Sequence, residues 1–534
     1  MNRKTLVLPA VIGLLAPVLA ACGGSDSGSG GDGAIVVGTT DRFTASKDAP
    51  APLDPAYAYD VGSWNILRQT VQTLMIQPKG EGEPVPEAAQ SCGFTDSGNE
   101  RYACKLRDGL KFANGDAITA QDVKFSIDRA LDIKSDSGVF ALLSTIDTIE
   151  TQGDNEVIFH LKTADATFPF KLSTPVAGIV NPDDYEKGKL REGFDVDGSG
   201  PYTMSAEVKD DELVDAVFTK NPNYKGTLKV NNERVEMRSF EGADAMGAAL
   251  EKGDINVMTR TMSPEQIDKL TSANGGDIDV VETAGLEIRY LGFDTDAPSV
   301  KSKAVRQAMA QIINRSELVS KVYGSQAEPL FSMVPASITG HSNSFFNRYG
   351  DPNVTKAKAM LSQANITAPV KLTLHYTTDH YGPATKQEFE ILQKQLNDSG
   401  LFDVDIKGTP WSTFRSAEQK GEYDVYGMGW FPDFPDADNY LAPFLDKDNT
   451  IGSPYVNSEI RNTLIPESRR EADRLSAATS LTDIQDIVAD DVPVLPLWQG
   501  KQYVAASDDV TGTAYALNSS STLQLWELGR GVSG

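Results

Sequence analysis

An acidic and aromatic stretch has the residue types that bind cations. Residues 429–440 read GWFPDFPDADNY, so three carboxylates stand among bulky rings on a segment that contains two prolines. Apolar rings remove water from a neighbouring carboxylate, which then attracts a cation more strongly than it would in water. The stretch therefore favours a recess for a ligand with a positive charge and an apolar body, and an unusual turn is the alternative.

The elements before this stretch predict a parallel α/β lobe. Apolar and polar residues alternate in two segments, an amphipathic helix joins these segments, and a further strand precedes the acidic stretch. The predicted strands are 370–376, 402–406 and 423–429, and the helix carries Phe389, Leu392 and Leu396 on one face. Ligands of such lobes bind outside the carboxyl ends of the strands. The acidic stretch and the loop 377–383 both begin at such ends, where we expect a cleft.

Other local patterns predict elements earlier in the chain. Residues 34–39 are strand-like, and residues 65–75 are helical with Leu67, Val71 and Leu74 on one face. Thr119 and Asp122 fit a capping box, and Ser263 precedes a proline that suits the first turn of a helix.

Length and charge restrict the class of protein. A chain of 534 residues exceeds the roughly 250–300 that one core supports, so we expect at least two domains. The net charge of -26 and a pI of about 4.6 argue against nucleic acid as a partner. No nucleophile motif, P-loop or dinucleotide loop stands out, so we predict neither an enzyme nor a cofactor. His375 and His380 lack the spacing of a metal site, and we predict no metal.

The N-terminus predicts export and lipidation. Residues 2–4 include the positively charged Arg3 and Lys4. Residues 6–19 form an apolar run that is short for a membrane span. The run ends in Leu-Ala-Ala-Cys22, which resembles the lipobox of bacterial lipoproteins, and a Gly/Ser tether follows. We expect a lipid on Cys22, and an ordinary signal that happens to contain a cysteine is the alternative.

The two remaining cysteines suggest a disulfide. Cys92 and Cys104 flank a turn signal at residues 96–99, and a hairpin reflected about Gly98 places them opposite each other. An exported protein can keep this bond oxidised, so we predict a disulfide, with two buried free thiols as the alternative.

Several motifs resemble those of the family 5 extracellular solute-binding proteins of ABC importers. The longest is LRDGLKFANGDAITAQDVKFSIDRAL at residues 106–131, and the order and spacing of the motifs match across nearly the whole mature chain. The others are GSGPY (198–202), TKNPNYKG (219–226), YLGFD (290–294), AVRQAMAQIINRSELVSKVYG (304–324) and DDVPVLPLWQGKQYV (490–504).

The resemblance implies an α/β, two-lobed periplasmic-binding-protein-like fold of type II, with an extra subdomain inserted in lobe I and a hinge between the lobes. The expected segments are a signal peptide (1–21), a tether (22–33), lobe I (34–57, 190–290 and 495–534), the inserted subdomain (58–189) and lobe II (291–494). Ligand is expected to close the lobes, and the closed form to dock on a permease.

The resemblance also nominates site residues. Peptide-binding members carry an aspartate just after a strand-end Gly-Trp, and here Asp433 follows Trp430 by three residues. We expect Asp433 to pair with the α-ammonium group of a peptide, with Trp430 and Phe431 removing water from it. Trp411 and His380 are the other predicted ligand contacts, and core packing is the alternative for Trp411 and Trp430.

Two features of the neighbouring residues refine this expectation. Asp436 and Asp438 are expected to face water or to cap the next helix, because three neighbouring carboxylates are costly to bury. Dipeptide-binding members carry an arginine in the loop that corresponds to residues 377–383, and this loop has none. The sequence does not say whether Arg289 or Arg415 replaces it.

These observations predict a monomeric, lipid-anchored binding component of an ABC importer outside the cytoplasmic membrane, with permease and ATPase subunits as partners. The ligand is expected to be a peptide, an oligopeptide rather than a dipeptide. The alternatives are a non-peptide solute (a metal chelate, an opine-like compound or a sugar) and a surface sensor without import.

Overall fold

Strands and helices alternate along most of the described chain. The computed structural model of the protein describes residues 33–47, 49–79, 82–259, 262–272, 276–447 and 449–531. The predicted signal peptide and the lipidation site Cys22 lie outside these residues.

The strands of the described residues form one large sheet and three small ones. In chain order they are β1 (Ile35–Thr39), β2 (Met75–Ile76), β3 (Val85–Pro86), β4 (Ala89–Phe94), β5 (Arg101–Leu106), β6 (Ile146–Gln152), β7 (Glu156–Leu161), β8 (Tyr202–Lys209), β9 (Glu212–Lys220), β10 (Arg234–Ser239), β11 (Val257–Thr259), β12 (Ile278–Phe293), β13 (Ala327–Pro329), β14 (Val370–Thr377), β15 (Phe402–Thr409), β16 (Val425–Trp430), β17 (Val494–Ser507), β18 (Val510–Thr511) and β19 (Gly529–Arg530).

Helices cover the faces of these sheets. The α-helices are α1 (Val61–Thr70), α2 (Ala120–Ile133), α3 (Phe168–Lys171), α4 (Ala243–Lys252), α5 (Pro264–Ser272), α6 (Lys303–Ile312), α7 (Arg315–Val322), α8 (Ser344–Tyr349), α9 (Val354–Gln363), α10 (Thr385–Asp398), α11 (Trp411–Gln419), α12 (Asp438–Leu445), α13 (Ile465–Arg470) and α14 (Ala478–Asp491). Short 3-10 helices occupy Val139–Leu143, Pro175–Ala177, Gly324–Gln326, Thr513–Tyr515 and Leu525–Glu527, and a π-helix occupies Ile460–Leu464.

The large sheet runs through both lobes of the molecule. Its order is β15-β14-β16-β12-β17-β11-β1-β10-β9-β8, and β13 adds to β17. In the second lobe β14 lies between β15 and β16 and is parallel to both, which confirms the predicted parallel α/β lobe. In the first lobe β1 is parallel to β10 and β11. The fold is therefore two-lobed and mixed α/β, as expected.

The long strands β12 and β17 connect the lobes. Their antiparallel pairing is interrupted between Ala284 and Ile288, opposite Gly500. The backbones approach closely here, because a Cβ atom added at Gly285 would lie 2.2 Å from the carbonyl oxygen of Gly500. We interpret this irregularity in the ladder as the hinge, since lost ladder pairing lets a strand bend.

Separate hydrophobic cores support the lobes. Buried apolar residues between 286 and 498 form one cluster, and those at 35–257 and 504–528 form a second. A smaller third cluster lies beneath α4 and α5. The first-lobe core also includes the small sheet β4-β5-β7-β6, in which Cys92 lies opposite Cys104 and is joined to it by a disulfide. The predicted segment boundaries stay a prediction.

Local sequence signals explain several helix starts. Thr119 and Asp122 form the predicted capping box of α2, and Ser263 exchanges hydrogen bonds with Gln266 at the start of α5. Helix α1 begins earlier than predicted, because the side chain of Asp60 accepts a hydrogen bond from the backbone N–H of Ser63. It also ends earlier, at Thr70, so the predicted range 65–75 was wrong at both ends.

Candidate functional site

The acidic stretch forms the connection from β16 to α12. Strand β16 is buried along its length and ends at Trp430, as its run of apolar and small residues requires. Pro432 and Pro435 restrict the backbone of the loop, and α12 begins at Asp438. The three carboxylates of the loop therefore lie between the carboxyl end of a strand and the first turn of a helix.

Asp433 is held by two neutral side chains. Its Oδ2 accepts hydrogen bonds from Asn439 Nδ2 at 2.8 Å and from Tyr59 Oη at 3.2 Å, and its backbone N–H donates to Asn439 Oδ1 at 2.8 Å. Within the described part of the chain, no cationic side chain forms an ion pair with this carboxylate. Burial raises the pKa of Asp433 to about 6, although Asn439, Tyr59 and Arg68 act in the opposite direction.

The two neighbouring carboxylates have cationic partners. Asp436 receives two hydrogen bonds from Arg474, at 2.7 and 3.0 Å, and Asp438 receives two from Arg469, at 2.9 and 3.2 Å. Both aspartates are buried, so the expectation that they face water is wrong. Ala437 is the N-cap residue of α12, and Asp436 Oδ1 accepts the backbone N–H of Asp438, the first residue of the helix, at 2.8 Å. Asp433 is thus the carboxylate of this loop that has no cationic partner among the described residues.

The predicted aromatic ligand contacts differ in burial: Trp430 is buried, whereas Phe431, Trp411 and His380 are more accessible. Trp430 is 8% exposed and packs edge-on against Phe444, so core packing describes it better than a cleft wall. Its Nε1 lies 3.4 Å from Asn439 Oδ1, which connects it to Asp433 through Asn439. Phe431 is half-buried.

Trp411 and His380 form a stacked pair at the carboxyl ends of β14 and β15. Their ring centroids lie 3.9 Å apart with an interplanar angle of 4°, and the ring of Tyr381 lies edge-on to Trp411 at 5.8 Å. His380 is exposed and Trp411 is half-buried. These rings offer a partly exposed aromatic surface at the carboxyl ends of the two strands.

Arg289 lies between the two aromatic groups. Its guanidinium carbon is 4.0 Å from the centre of the Tyr381 ring and 5.8 Å from that of Phe431, and it pairs with Glu287. Arg415, the other candidate from the sequence, pairs with Glu418 on its own helix. Arg289 therefore contacts the aromatic rings of Tyr381 and Phe431, but the carboxylate of Glu287 already neutralises its charge.

Side chains from the first lobe complete the site. Tyr59 reaches Asp433, and Phe170 stacks on Phe434 at 5.6 Å with an angle of 26°. The backbone N–H of Ala166 donates to the carbonyl of Arg469 at 2.8 Å. The loop after β16 is therefore in contact with both lobes.

Comparisons with known proteins agree with this architecture. Residues 83–452 match the family described as bacterial extracellular solute-binding proteins, family 5. The chain belongs to this family. A curated member, the oligopeptide-binding protein OppA of Bacillus subtilis, is 26% identical over 522 residues, which cover 90% of this chain and 91% of that protein.

Solved family 5 structures share the fold. DppA from Helicobacter pylori, solved in complex with the peptide STSA, is 22% identical with a TM-score of 0.78, and the match covers 93% of this chain and 98% of that one. AgaA from A. tumefacien R10, solved in complex with agropinic acid, is 20% identical with a TM-score of 0.79 over 94% and 99% of the two chains. At these identities the likeness establishes the fold, and the two proteins were solved with different ligands.

Sequence reasoning missed part of this candidate site. Asn439 lies within the acidic stretch 429–440, and its amide group could have been recognised as a hydrogen-bond partner for Asp433. Tyr59 lies 374 residues before Asp433, and no local pattern connects them. The described residues contain no cluster of three or more potential metal ligands, and His375 stacks on Tyr423. Nowhere in the described ranges is a helix both long and apolar enough to cross a bilayer.

Proposed function

We propose that this chain captures peptides for an ABC importer, held outside the bacterial cytoplasmic membrane by a lipid on Cys22. An oligopeptide is favoured over a dipeptide, because the loop 377–383 has no arginine to clamp the second end of a short ligand. The observation that carries the proposal is Asp433, a desolvated carboxylate without a cationic partner among the described residues.

The chemistry at Asp433 suits a peptide ammonium group. Asn439 and Tyr59 fix the orientation of the carboxylate and leave its charge uncompensated. An ammonium group would supply that compensation through a charge-assisted hydrogen bond, which is about twice as strong as a neutral one. Because Tyr59 belongs to the first lobe and Asp433 to the second, the same ligand would stabilise the arrangement in which the lobes meet. The closed form then delivers its ligand to the permease.

Calorimetry with tetraalanine and N-acetyl-tetraalanine tests this role. Asp433→Ala should weaken the binding of tetraalanine by roughly 30-fold to several thousand-fold, as expected for loss of one partner of a buried charge pair. Acetylation should weaken binding to the wild type by a comparable factor and add little in the variant. Asp398→Ala, which removes an exposed carboxylate of the same lobe, serves as the control and should bind like the wild type.

Equal binding of the two peptides by the wild type would contradict the role of Asp433. Mass spectrometry of ligand that co-purifies with the mature protein would then identify the class of solute. A non-peptide solute in that experiment would contradict the proposed function as well.

A further inference from the structure

Arg68 is a partly buried cation without an ion-pair partner among the described residues. It lies on α1, its Nη1 donates to the carbonyl of Ser173 at 3.1 Å, and its guanidinium carbon lies 5.7 Å from the centre of the Trp64 ring. In the part of the chain that the structure describes, no carboxylate forms an ion pair with it. Burial lowers the pKa of Arg68 to about 10, and Asp433 acts in the opposite direction.

Arg68 and Asp433 form a separated pair of opposite charges on the two lobes. The Trp64 ring lies 5.7 Å from the guanidinium carbon of Arg68 and 5.7 Å from the ring of Tyr59, which donates to Asp433 at 3.2 Å. Arg68 and Asp433 nevertheless form no ion pair with each other. Two desolvated charges that do not neutralise each other are costly to the ligand-free protein. Groups of this kind are concentrated at functional sites, where a ligand supplies the missing partner.

Arg68 also lines a cavity whose polar groups are incompletely satisfied. The cavity has a volume of about 30 Å³ for water-sized groups and opens to solvent, and its apolar walls include Val71, Pro175 and Trp526. Gln72 lines it too and is 3% exposed. Its Nε2 donates to Glu87 Oε1 at 3.1 Å and to the carbonyl of Lys225 at 3.2 Å, whereas its Oε1 accepts no hydrogen bond from any described residue.

These groups are complementary to a zwitterionic peptide. Arg68 offers N–H donors to a carboxylate, and the carbonyl oxygen of Gln72 can accept a backbone N–H. A guanidinium group can bind a carboxylate through two parallel hydrogen bonds. If the carboxylate is the C-terminus of a short peptide, Arg68 replaces the arginine that the loop 377–383 lacks, and that loop then no longer favours an oligopeptide; an acidic side chain of a longer peptide leaves that preference intact.

We propose that Arg68 binds a carboxylate of the ligand while Asp433 binds its ammonium group. This inference rests on the proposed function. The carboxylate comes either from the C-terminus of a short peptide or from an acidic side chain close to the N-terminus of a longer one. In both cases one ligand joins the two lobes by opposite charges, and the protein selects ligands that carry both charges.

Calorimetry with two matched pairs of peptides tests the inference. The first pair is trialanine and trialanine amide, and the second is Ala-Glu-Ala-Ala amide and Ala-Gln-Ala-Ala amide. The wild type should bind the acid of at least one pair tenfold or more tightly than its neutral counterpart, and that pair identifies the source of the carboxylate. The preference should fall below twofold in Arg68→Gln and persist in part in Arg68→Lys. Arg238→Gln, at a half-buried first-lobe arginine that pairs with Asp215 and Glu236, should keep the preference of the wild type.

Equal binding of acid and neutral peptides in both pairs by the wild type would overturn the inference, and this comparison needs no variant to fold. An undiminished preference in Arg68→Gln would overturn it too. In either case peptide binding itself would still support the proposed function. If none of the four peptides binds the wild type, the proposed function fails and the inference fails with it.

Discussion

The three carboxylates of one loop differ in what neutralises them. Asp436 and Asp438 are buried against Arg474 and Arg469, whereas Asp433 contacts only neutral groups among the described residues. The sequence could not show this, because the arginines lie 38 and 31 residues further along the chain. The cost of burial led us to expect Asp436 and Asp438 to face water or to cap the next helix, but both are buried, because Arg474 and Arg469 offset that cost.

Peptide binding should weaken at acidic pH through Asp433. Burial raises the pKa of its carboxyl group to about 6 in the ligand-free protein, and only the ionised form attracts an ammonium group. The carboxylate is mostly ionised above pH 6, so affinity should change little between pH 7 and pH 7.5. Below pH 6 a proton must leave before the peptide binds, and affinity should fall by up to about tenfold per pH unit. The peptide ammonium group has a pKa of about 8, so it stays charged below pH 6 and does not cause this fall.

Calorimetry between pH 5 and pH 7.5 measures this dependence. Asp433→Asn keeps the shape of the side chain and cannot ionise, so its weaker binding should show no such slope. A wild-type affinity that does not change across this range would mean that Asp433 does not bind the ammonium group.

At the scale of elements, local sequence patterns predicted the strands and helix starts that depend on neighbouring residues. Alternation located β14 and β15, and the capping box located the start of α2, because these features depend on neighbouring residues. The limits of α1 were missed in part because Asp60, a good N-cap residue, was not recognised as one. Helix α1 ends at Thr70, because Val71 is extended and the chain then leads into β2, which pairs with β3.

The ion pair of Asp436 and Arg474 should stabilise the connection between β16 and α12. Arg474→Leu should lower the free energy of unfolding by about 3–5 kcal/mol, because it leaves a buried carboxylate without a counterion. The arginine also donates to the carbonyls of Ser468 and Glu471, and both bonds would be lost. Urea denaturation followed by circular dichroism measures the change.

An exposed ion pair provides the matched control for that measurement. Lys394→Leu breaks the pair with Asp398 on the surface of α10 and should change the free energy of unfolding by less than about 1 kcal/mol. Equal effects of the two substitutions would show that burial of the Arg474 pair does not matter for stability.

At the scale of the whole molecule, the two lobes share one sheet. The resemblance to family 5 implied two lobes, and this expectation is confirmed. The sharing of a sheet was not predictable from local patterns, because β12 pairs with β17 across more than 200 intervening residues, as in Leu291 with Leu495. Such long-range pairing leaves no periodic signal within either strand, since both strands are largely buried where they cross between the lobes.

Lobe closure should depend on the close approach of the strands at Gly285. Ligand can drive closure only if it binds the closed arrangement better, and contacts such as Tyr59 with Asp433 provide that difference. A methyl group at residue 285 would lie 2.2 Å from the carbonyl oxygen of Gly500 and would force β12 and β17 apart in this arrangement. Overpacking of this kind costs about 1–3 kcal/mol, so Gly285→Ala should weaken peptide binding by roughly 5- to 150-fold.

Small-angle scattering with saturating tetraalanine measures the closure itself. The radius of gyration of the wild type should decrease when peptide binds, because the lobes approach each other. The decrease should be smaller in Gly285→Ala, since strain at the hinge opposes the arrangement that the peptide requires. Gly188→Ala is the control, because a Cβ atom there meets no atom within 4 Å, and it should close like the wild type. An unchanged scattering profile of the wild type, with binding established by calorimetry, would show that this fold captures its ligand without moving its lobes.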